Sequence, residues 1–499
     1  MQSPKPNTGQ IARGPITIGI LCVTVMSTLD TTVVNVSLPH MQGSLSASPD
    51  QITWVLTSYI VAVAVATPVS GWLVARFGVR AMLLVCVAGF TLSSILCGAT
   101  TSLPQIVLFR VIQGFFAAPL LPTAQAVLLN INPPERYGRT MALFTMASMC
   151  GPVLGPVVGG YLTESFTWRW CFFINFPGGI TSFVLLWLYL PRETLRSRPF
   201  DFLGFGSLAL AVSSFQMMLD RGTTQDWFGS REICIEAAIA ATAFCVYLAH
   251  TFTTRNPLFP LALFRNRNLM TSVVFNFFLM ALMYSSLMLF PLMMQGVLGY
   301  SVSHTGVLSM PRGIVLMAVL SMMGRLDAIV NRQLLVAIGL FFVVFSFWQM
   351  SRFDISMSSK ELVWATALQG VGQGIVFVPL ATMGFATIPQ ALRPDASALF
   401  NLLRNLGGSV GVAAMQALTV ANTQTVHASL AAHITSFSSS MGPALPDVLS
   451  TVGAATLNAE ITRQATMVAY VDDFWLMGVV SLLCFALVPM LRPARVRQG

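Results

Sequence analysis

Continuous apolar runs of about twenty residues recur along the whole 499-residue chain, and nothing else constrains its fold as strongly. Roughly 20 mostly apolar residues let a helix cross about 30 Å of hydrocarbon at about 1.5 Å per residue. The runs do not alternate, and in lipid each backbone polar group must find its partner within its own segment, so they must be helices. They place spans near 16–38, 52–73, 81–100, 104–130, 139–162, 171–191, 201–219 and 233–253. Six more follow near 268–294, 303–324, 333–351, 362–385, 396–420 and 472–491, making fourteen. The first run carries Asp30 and ends in Leu38-Pro39 without a small-residue cleavage site, so it reads as a retained span rather than a signal peptide.

Charge content excludes several function classes. Only 9% of residues are charged, against about 25% in soluble proteins, which rules out a soluble multidomain enzyme and a disordered chain. The net charge of +9 does not indicate a nucleic-acid partner, because the 27 basic residues are scattered between apolar runs and build no stripe. With a cytoplasmic N-terminus, eighteen of them, from Lys5 and Arg13 to Arg495 and Arg497, fall in inside segments and six in outside ones. That bias puts both termini in the cytoplasm. The eight cysteines lie in or beside apolar runs without metal spacing and read as small buried hydrophobes.

The expected organisation is a cytoplasmic N-terminus (1–15), a six-helix lobe (16–191), two additional helices with flanking cytoplasmic linkers (192–260), a second six-helix lobe (261–491) and a cytoplasmic C-terminus (492–499). An internal repeat supports it. The fourth span reads Arg110-Val-Ile-Gln113-Gly114 and the twelfth Thr366-Ala-Leu-Gln369-Gly370, each the fourth of its lobe, with the arginine only in the first. Duplicated bundles of this kind are the sequence trace of a two-lobed transporter. The polar outer segment 421–471 has helical character near Leu457–Met467; it is either a solvated cap or a docking surface for an external partner.

Charges deep in a span cost about 2.5–3.5 kcal/mol on insertion scales, so each is a functional candidate. Four stand out: Asp30, Arg110, Arg312 and Arg404. Counting from Pro39 and Pro104 at the helical rise sets Asp30 and Arg110 at depths that match within the reach of an arginine. Ser27, Asp30 and Ser37 share one stripe, as do Arg110, Gln113, Gly114 and Ala117. The pair either orients helices or forms a proton site, since burial and a nearby arginine act in opposite senses on ionisation. The fifth span carries Gly151-Pro152-Val-Leu-Gly155-Pro156-Val-Val-Gly159-Gly160. Its small stripe permits close helix approach, and its prolines permit bending.

At these residues the chain resembles the major facilitator superfamily, and within it the fourteen-span drug/proton antiporters of the EmrB/QacA type. The resemblance rests on Leu29–Pro39, Arg110–Gly114, Gly151–Gly160, Trp168–Pro177, Leu219–Gly222 and Arg404–Gly408, in order at the corresponding spans. It implies an all-α polytopic membrane protein of major facilitator fold, with two six-helix lobes plus two extra central helices. It also implies proton-driven efflux of hydrophobic toxic compounds across a bacterial inner membrane. Asp30 and Arg110 would couple protons, the proton gradient would supply energy without a cofactor, and Gly151, Pro152, Gly155, Pro156, Gly159 and Gly160 would form the antiporter motif. Members of the EmrB type work beside a periplasmic adaptor and an outer-membrane channel, which makes 421–471 the expected contact. The family's loop between spans two and three reads G-x-L-x-D-R-x-G-R. Here Gly71, Arg76, Gly78 and Arg80 are kept, but Ala75 replaces the acid that commonly latches the lobes, so a weaker latch is expected.

Asn35, Gln113, Arg312, Gln369, Arg404 and Asn405 are the candidate substrate contacts. One deep aspartate against three deep arginines predicts neutral or weakly acidic cargo rather than cations. A proton-coupled nutrient importer is the alternative within the fold, and the doubled Gly-Pro motif argues against it. Catalysis finds no support, because there is no H-E-x-x-H and no G-x-S-x-G in a suitable turn; nor is there a phosphate loop for ATP drive.

Overall fold

The computed structural model describes residues 12–191, 199–433 and 451–491, and all secondary structure among them is helical. The first lobe comprises α1 (Arg13–Ser44), α2 (Trp54–Phe77), α3 (Val79–Ala99), α4 (Leu103–Ile131), α5 (Tyr137–Ser165) and α6 (Trp170–Tyr189). Then come α7 (Phe202–Arg221) and α8 (Arg231–Thr253). The second lobe holds α9 (Arg267–Gly296), α10 (His304–Asp327), α11 (Arg332–Met350), α12 (Ser359–Phe385), α13 (Arg393–Ala432) and α14 (Val452–Met490). Thirteen of these are long and apolar enough to cross a membrane. Only α13 is too polar for that set, and its packing along α9 and α14 places it within the bundle. Residues 1–11, 192–198, 434–450 and 492–499, with Lys5 and the arginines they contain, lie outside the described residues.

Proline sets the local breaks, because it cannot donate the helical hydrogen bond. A 3-10 turn at Thr67–Val69 interrupts α2 at Pro68, and the regular helix of α4 breaks between Ala117 and Leu120 at Pro119. By contrast α5 runs unbroken through Pro152 and Pro156.

The described parts of segment 421–471 continue the helices on either side of it. α13 is 40 residues long, and no glycine or proline occurs from 412 to 441 to stop it. At about 1.5 Å per residue it measures about 60 Å, twice the hydrocarbon thickness. The described parts of 421–471 are therefore continuations of α13 and α14, cross-linked where His427 meets Asn458 at 3.0 Å.

Within the first lobe α1 packs along α5 and α6, and α4 along α2 and α3. Within the second, α9 packs along α13, and α12 along α10 and α11. Across the lobes α5 lies against α10. The additional pair touches both lobes, through α2 and α13. Thr57 on α2 donates to Asp220 at 2.5 Å, while Arg221 pairs with Glu232 at 2.5 Å on α8. Beside the contact with α13, an apolar cavity of about 920 Å³ lies between the pair and α9 and α13, lined by Phe215, Phe244, Phe252, Phe277 and Leu403. Because α8 is covered on one side only, Cys234 and Cys245 are exposed, contrary to the expectation that all cysteines are buried.

Candidate functional site

Asp30 and Arg110, both fully buried, meet inside the first lobe with Arg110 Nη1 2.5 Å from Asp30 Oδ2. The other carboxylate oxygen accepts from Gln113 Nε2 and Asn175 Nδ2, each at 2.8 Å. Arg110 also donates to Gln113 Oε1 at 2.9 Å and to the Val55 carbonyl at 3.0 Å, and its guanidinium lies 4.0 Å from the centre of the Tyr59 ring. A buried ion pair repays its desolvation only when further hydrogen bonds satisfy both partners. Here four helices, α1, α2, α4 and α6, supply most of them, although Arg110 Nη2 is buried without a partner. Protonating Asp30 would remove the charge that holds Arg110 and turn one acceptor oxygen into a donor. At least one neighbour would then have to move.

The sequence pairs Asp30 with Arg110 and marks Gln113 as a substrate contact; in the structure Gln113 donates to Asp30. Asn175 and Tyr59 go unassigned in sequence. The available signal was Asn175 itself, the one polar side chain in Phe172–Pro177.

The second lobe has its own polar centre. Arg312 on α10 donates to Ser286 Oγ, the Met283 carbonyl and Gln373 Oε1, all at 3.4 Å. Ser286 donates to Gln369 Oε1 at 3.0 Å, and Gln369 Nε2 is buried without a partner. No carboxylate pairs with Arg312 among the described residues.

The other predicted contacts do not join either centre. Arg404 is buried, on the α13 stripe that also carries Ser397 and Asn401, and it bonds no described residue. Asn35 and Asn405 are exposed and likewise bond none. Buried acids are more numerous than sequence depth suggested, because Asp327, Asp395 and Asp473 are also buried. Asp327 and Asp395 lie near helix ends, where neighbouring helices cover them, whereas Asp473 lies well within α14: Asp327 pairs with Arg332 at 3.2 Å, and Asp473 accepts from Thr419. The excess of deep arginines therefore cannot by itself define the cargo.

The glycine helix works as its stripe predicts. Gly151 packs on the Thr28 carbonyl, Gly155 on Thr32 Oγ1 and Gly159 on the Val33 carbonyl, leaving no room for a Cβ. Thr32 Oγ1 donates to the Gly151 carbonyl at 2.9 Å. Gly160 faces open space and takes no part in this seam.

Around the loop with Ala75, Gly71 packs against the Asp395 carboxylate of α13, so an acid from the other lobe sits at this interface. The same end is closed by Arg393, which donates to the Leu129 carbonyl at 2.9 Å and Asn130 Oδ1 at 2.8 Å. Ser397 and Asn401 donate to Gln125 Oε1 at 2.6 and 3.1 Å, and Asp327 packs on Gly138. Gly78 turns the chain between α2 and α3 at φ +81°, a conformation that favours glycine. Arg80 donates to the Trp187 carbonyl within the first lobe, and Arg76 is exposed.

Residues 20–412 match the family model described as Major Facilitator Superfamily. The chain is 35% identical to the multidrug export protein EmrB of Haemophilus influenzae over 94% of each chain. It is 33% identical to the fatty acid resistance protein FarB of Neisseria gonorrhoeae, over 95% of this chain and 94% of that one. The crystal structure of the human organic anion transporter MFSD10 superimposes with a TM-score of 0.63 at 14% identity, covering 97% of this chain and all of that one, which speaks to the fold alone.

Proposed function

The chain belongs to the Major Facilitator Superfamily, and from that premise we propose that it is a multidrug efflux transporter that exchanges hydrophobic, neutral or weakly acidic compounds for protons at Asp30. Its relatives are named for multidrug export and fatty acid resistance, which supports an exporter of toxic amphiphiles. The single observation that carries proton exchange is the fully buried Asp30, held by three side-chain donors from two other helices.

In this reading, lobes 16–191 and 261–491 rock about a central site. The closed end formed by Arg393, Gln125, Gly71 and Asp395 faces the cytoplasm, and Asp30 loads its proton from the opposite side. Protonation frees Arg110 and loosens the first lobe; deprotonation after the switch restores the pair. One charge crossing 100 mV supplies about 2.3 kcal/mol, and a tenfold gradient costs about 1.4 kcal/mol. One proton thus supports somewhat more than tenfold accumulation of a neutral solute. The chain would lie in a bacterial inner membrane with both termini cytoplasmic, as its arginine distribution favours.

The projecting ends of α13 and α14 are the surface we assign to a periplasmic adaptor and, through it, an outer-membrane channel. Deleting most of 421–471 should abolish adaptor crosslinking without preventing membrane insertion; unchanged crosslinking would refute the assignment.

The central test is drug uptake into everted vesicles under an imposed proton gradient. Intact protein should accumulate substrate, whereas Asp30→Asn and Arg110→Ala should not, with Asp30→Asn still binding it. Full-speed uphill transport by Asp30→Asn would end the proton reading, and transport in the opposite direction would indicate an importer.

A further inference from the structure

The two lobes are built around similar polar frames, and they differ in where the guanidinium sits and in whether an acid faces it. In the first, Gly114 of α4 packs on the Tyr59 carbonyl of α2, and a Cβ there would lie 2.7 Å from that oxygen. In the second, Gly370 of α12 packs on the Arg312 carbonyl of α10, where the corresponding distance is 2.5 Å. Gln113 and Gln369 each precede these glycines by one residue. The frame thus puts Arg312 where the first lobe has Tyr59, moving the guanidinium from α4 to α10. Gln113 turns its Nε2 to the carboxylate of Asp30 on α1, whereas Gln369 reaches only Ser286 on α9, through its oxygen, and leaves Nε2 unbonded.

The second centre therefore has a complete set of donors and no anion. A fully buried amide N–H without an acceptor is unfavourable, and a buried guanidinium bonded only to neutral oxygens is worse matched than one facing a carboxylate. Arg312 keeps 8% of its surface exposed, and its neighbour Gly313 packs on Val153 of the glycine-proline helix α5 in the other lobe. The centre thus borders the interface between the lobes, where rocking would uncover it.

We infer that Arg312, Ser286, Gln369 and Gln373 form a carboxylate subsite that takes the ionised end of an amphipathic monocarboxylic acid, in the role Asp30 plays in the first lobe. The cargo brings the missing anion with it. Arg312 pairs with one carboxylate oxygen, Gln369 Nε2 bonds the other, and the apolar tail lies outside the polar centre. This assignment rests on the export reading, but the subsite binds without a proton gradient, so the two can fail separately.

The test is equilibrium displacement of labelled laurate from the purified full chain in detergent at pH 8 without a gradient, with dodecanol as a competitor of equal tail length. Intact protein should prefer laurate by about tenfold, equivalent to about 1.4 kcal/mol. Arg312→Gln should bring laurate to within about twofold of dodecanol while dodecanol binding is unchanged, which also reports a folded protein. Should that variant not fold, Gln369→Leu must lower laurate binding by about three- to tenfold and leave dodecanol alone. Asp30→Asn should keep the full preference for laurate. Equal affinities for the two probes in the intact protein would overturn the subsite, as would a preference that survives Arg312→Gln or, where that variant does not fold, Gln369→Leu. A retained preference together with gradient-independent transport would instead overturn only the proton reading.

Discussion

The polar centres of the two lobes show how one helical frame can carry two electrostatic contents. The first encloses an acid, an arginine, a glutamine and an asparagine, bonded at 2.5 to 2.9 Å. Among the described residues, the second encloses an arginine, two glutamines and a serine, with Arg312 held at 3.4 Å and one amide donor left over. The first already holds its counter-ion, with Arg110 Nη2 as its own unbonded donor. The second is complete only with something from outside. Both inherit a glutamine-glycine pair that presses α4 onto α2 and α12 onto α10, so the difference lies in the side chains and not in the packing.

Four substitutions break or sharpen this contrast. Asp30→Asn should have the largest effect, a loss of uphill transport of about a hundredfold or more in vesicles, because it leaves Arg110 buried without its partner. Next, Ser286→Asp should give the second centre the acid that Arg312 lacks. Laurate preference should then fall to none in the displacement assay, and its survival would mean that the second centre is not held open for an anion. Third, Gly114→Val and Gly370→Val should each destabilise by about 1–3 kcal/mol through overpacking on a backbone carbonyl, seen as lower thermal midpoints in detergent. If only one of the pair is destabilised, the lobes do not share a frame. The smallest change belongs to Tyr59→Leu. Removing the ring over Arg110 should cost about 0.5–2 kcal/mol, with transport slowed but still dependent on the gradient.

Much of this was legible in the sequence because hydrocarbon imposes so few solutions. Each of the fourteen apolar runs became a helix, and the depth count from Pro39 and Pro104 brought Asp30 and Arg110 together correctly. The offsets of four along Gly151, Gly155 and Gly159 foretold a close seam, though not its partner. What stayed hidden depended on neighbours far along the chain. Asn175 reaches Asp30 across 145 positions, and Asp395 fills the space above Gly71 from the other lobe; no local pattern encodes either contact. Depth counting also missed Asp327 and Asp395, because residues near a helix end can be covered by other helices as thoroughly as those at mid-bilayer, and it missed Asp473 because the span expected at 472–491 is only the end of a longer helix. The extension of α13 escaped notice for a different reason: a polar stretch without helix breakers reads as loop when hydropathy is the only guide.

The seam between α1 and α5 ties mechanics to chemistry. Asp30 sits between Thr28 and Thr32, the two threonines on which Gly151 and Gly155 press, and Thr32 is bonded to the Gly151 carbonyl at 2.9 Å. Pro152 and Pro156 fall within the same two turns of α5, where they delete two rungs of its hydrogen-bond ladder. Any flexure at those missing rungs must drag the stretch of α1 that holds the carboxylate, like a hinge plate screwed to the door beside its lock. A change in the curvature of α5 would therefore reach the carboxylate through the Thr28 and Thr32 contacts.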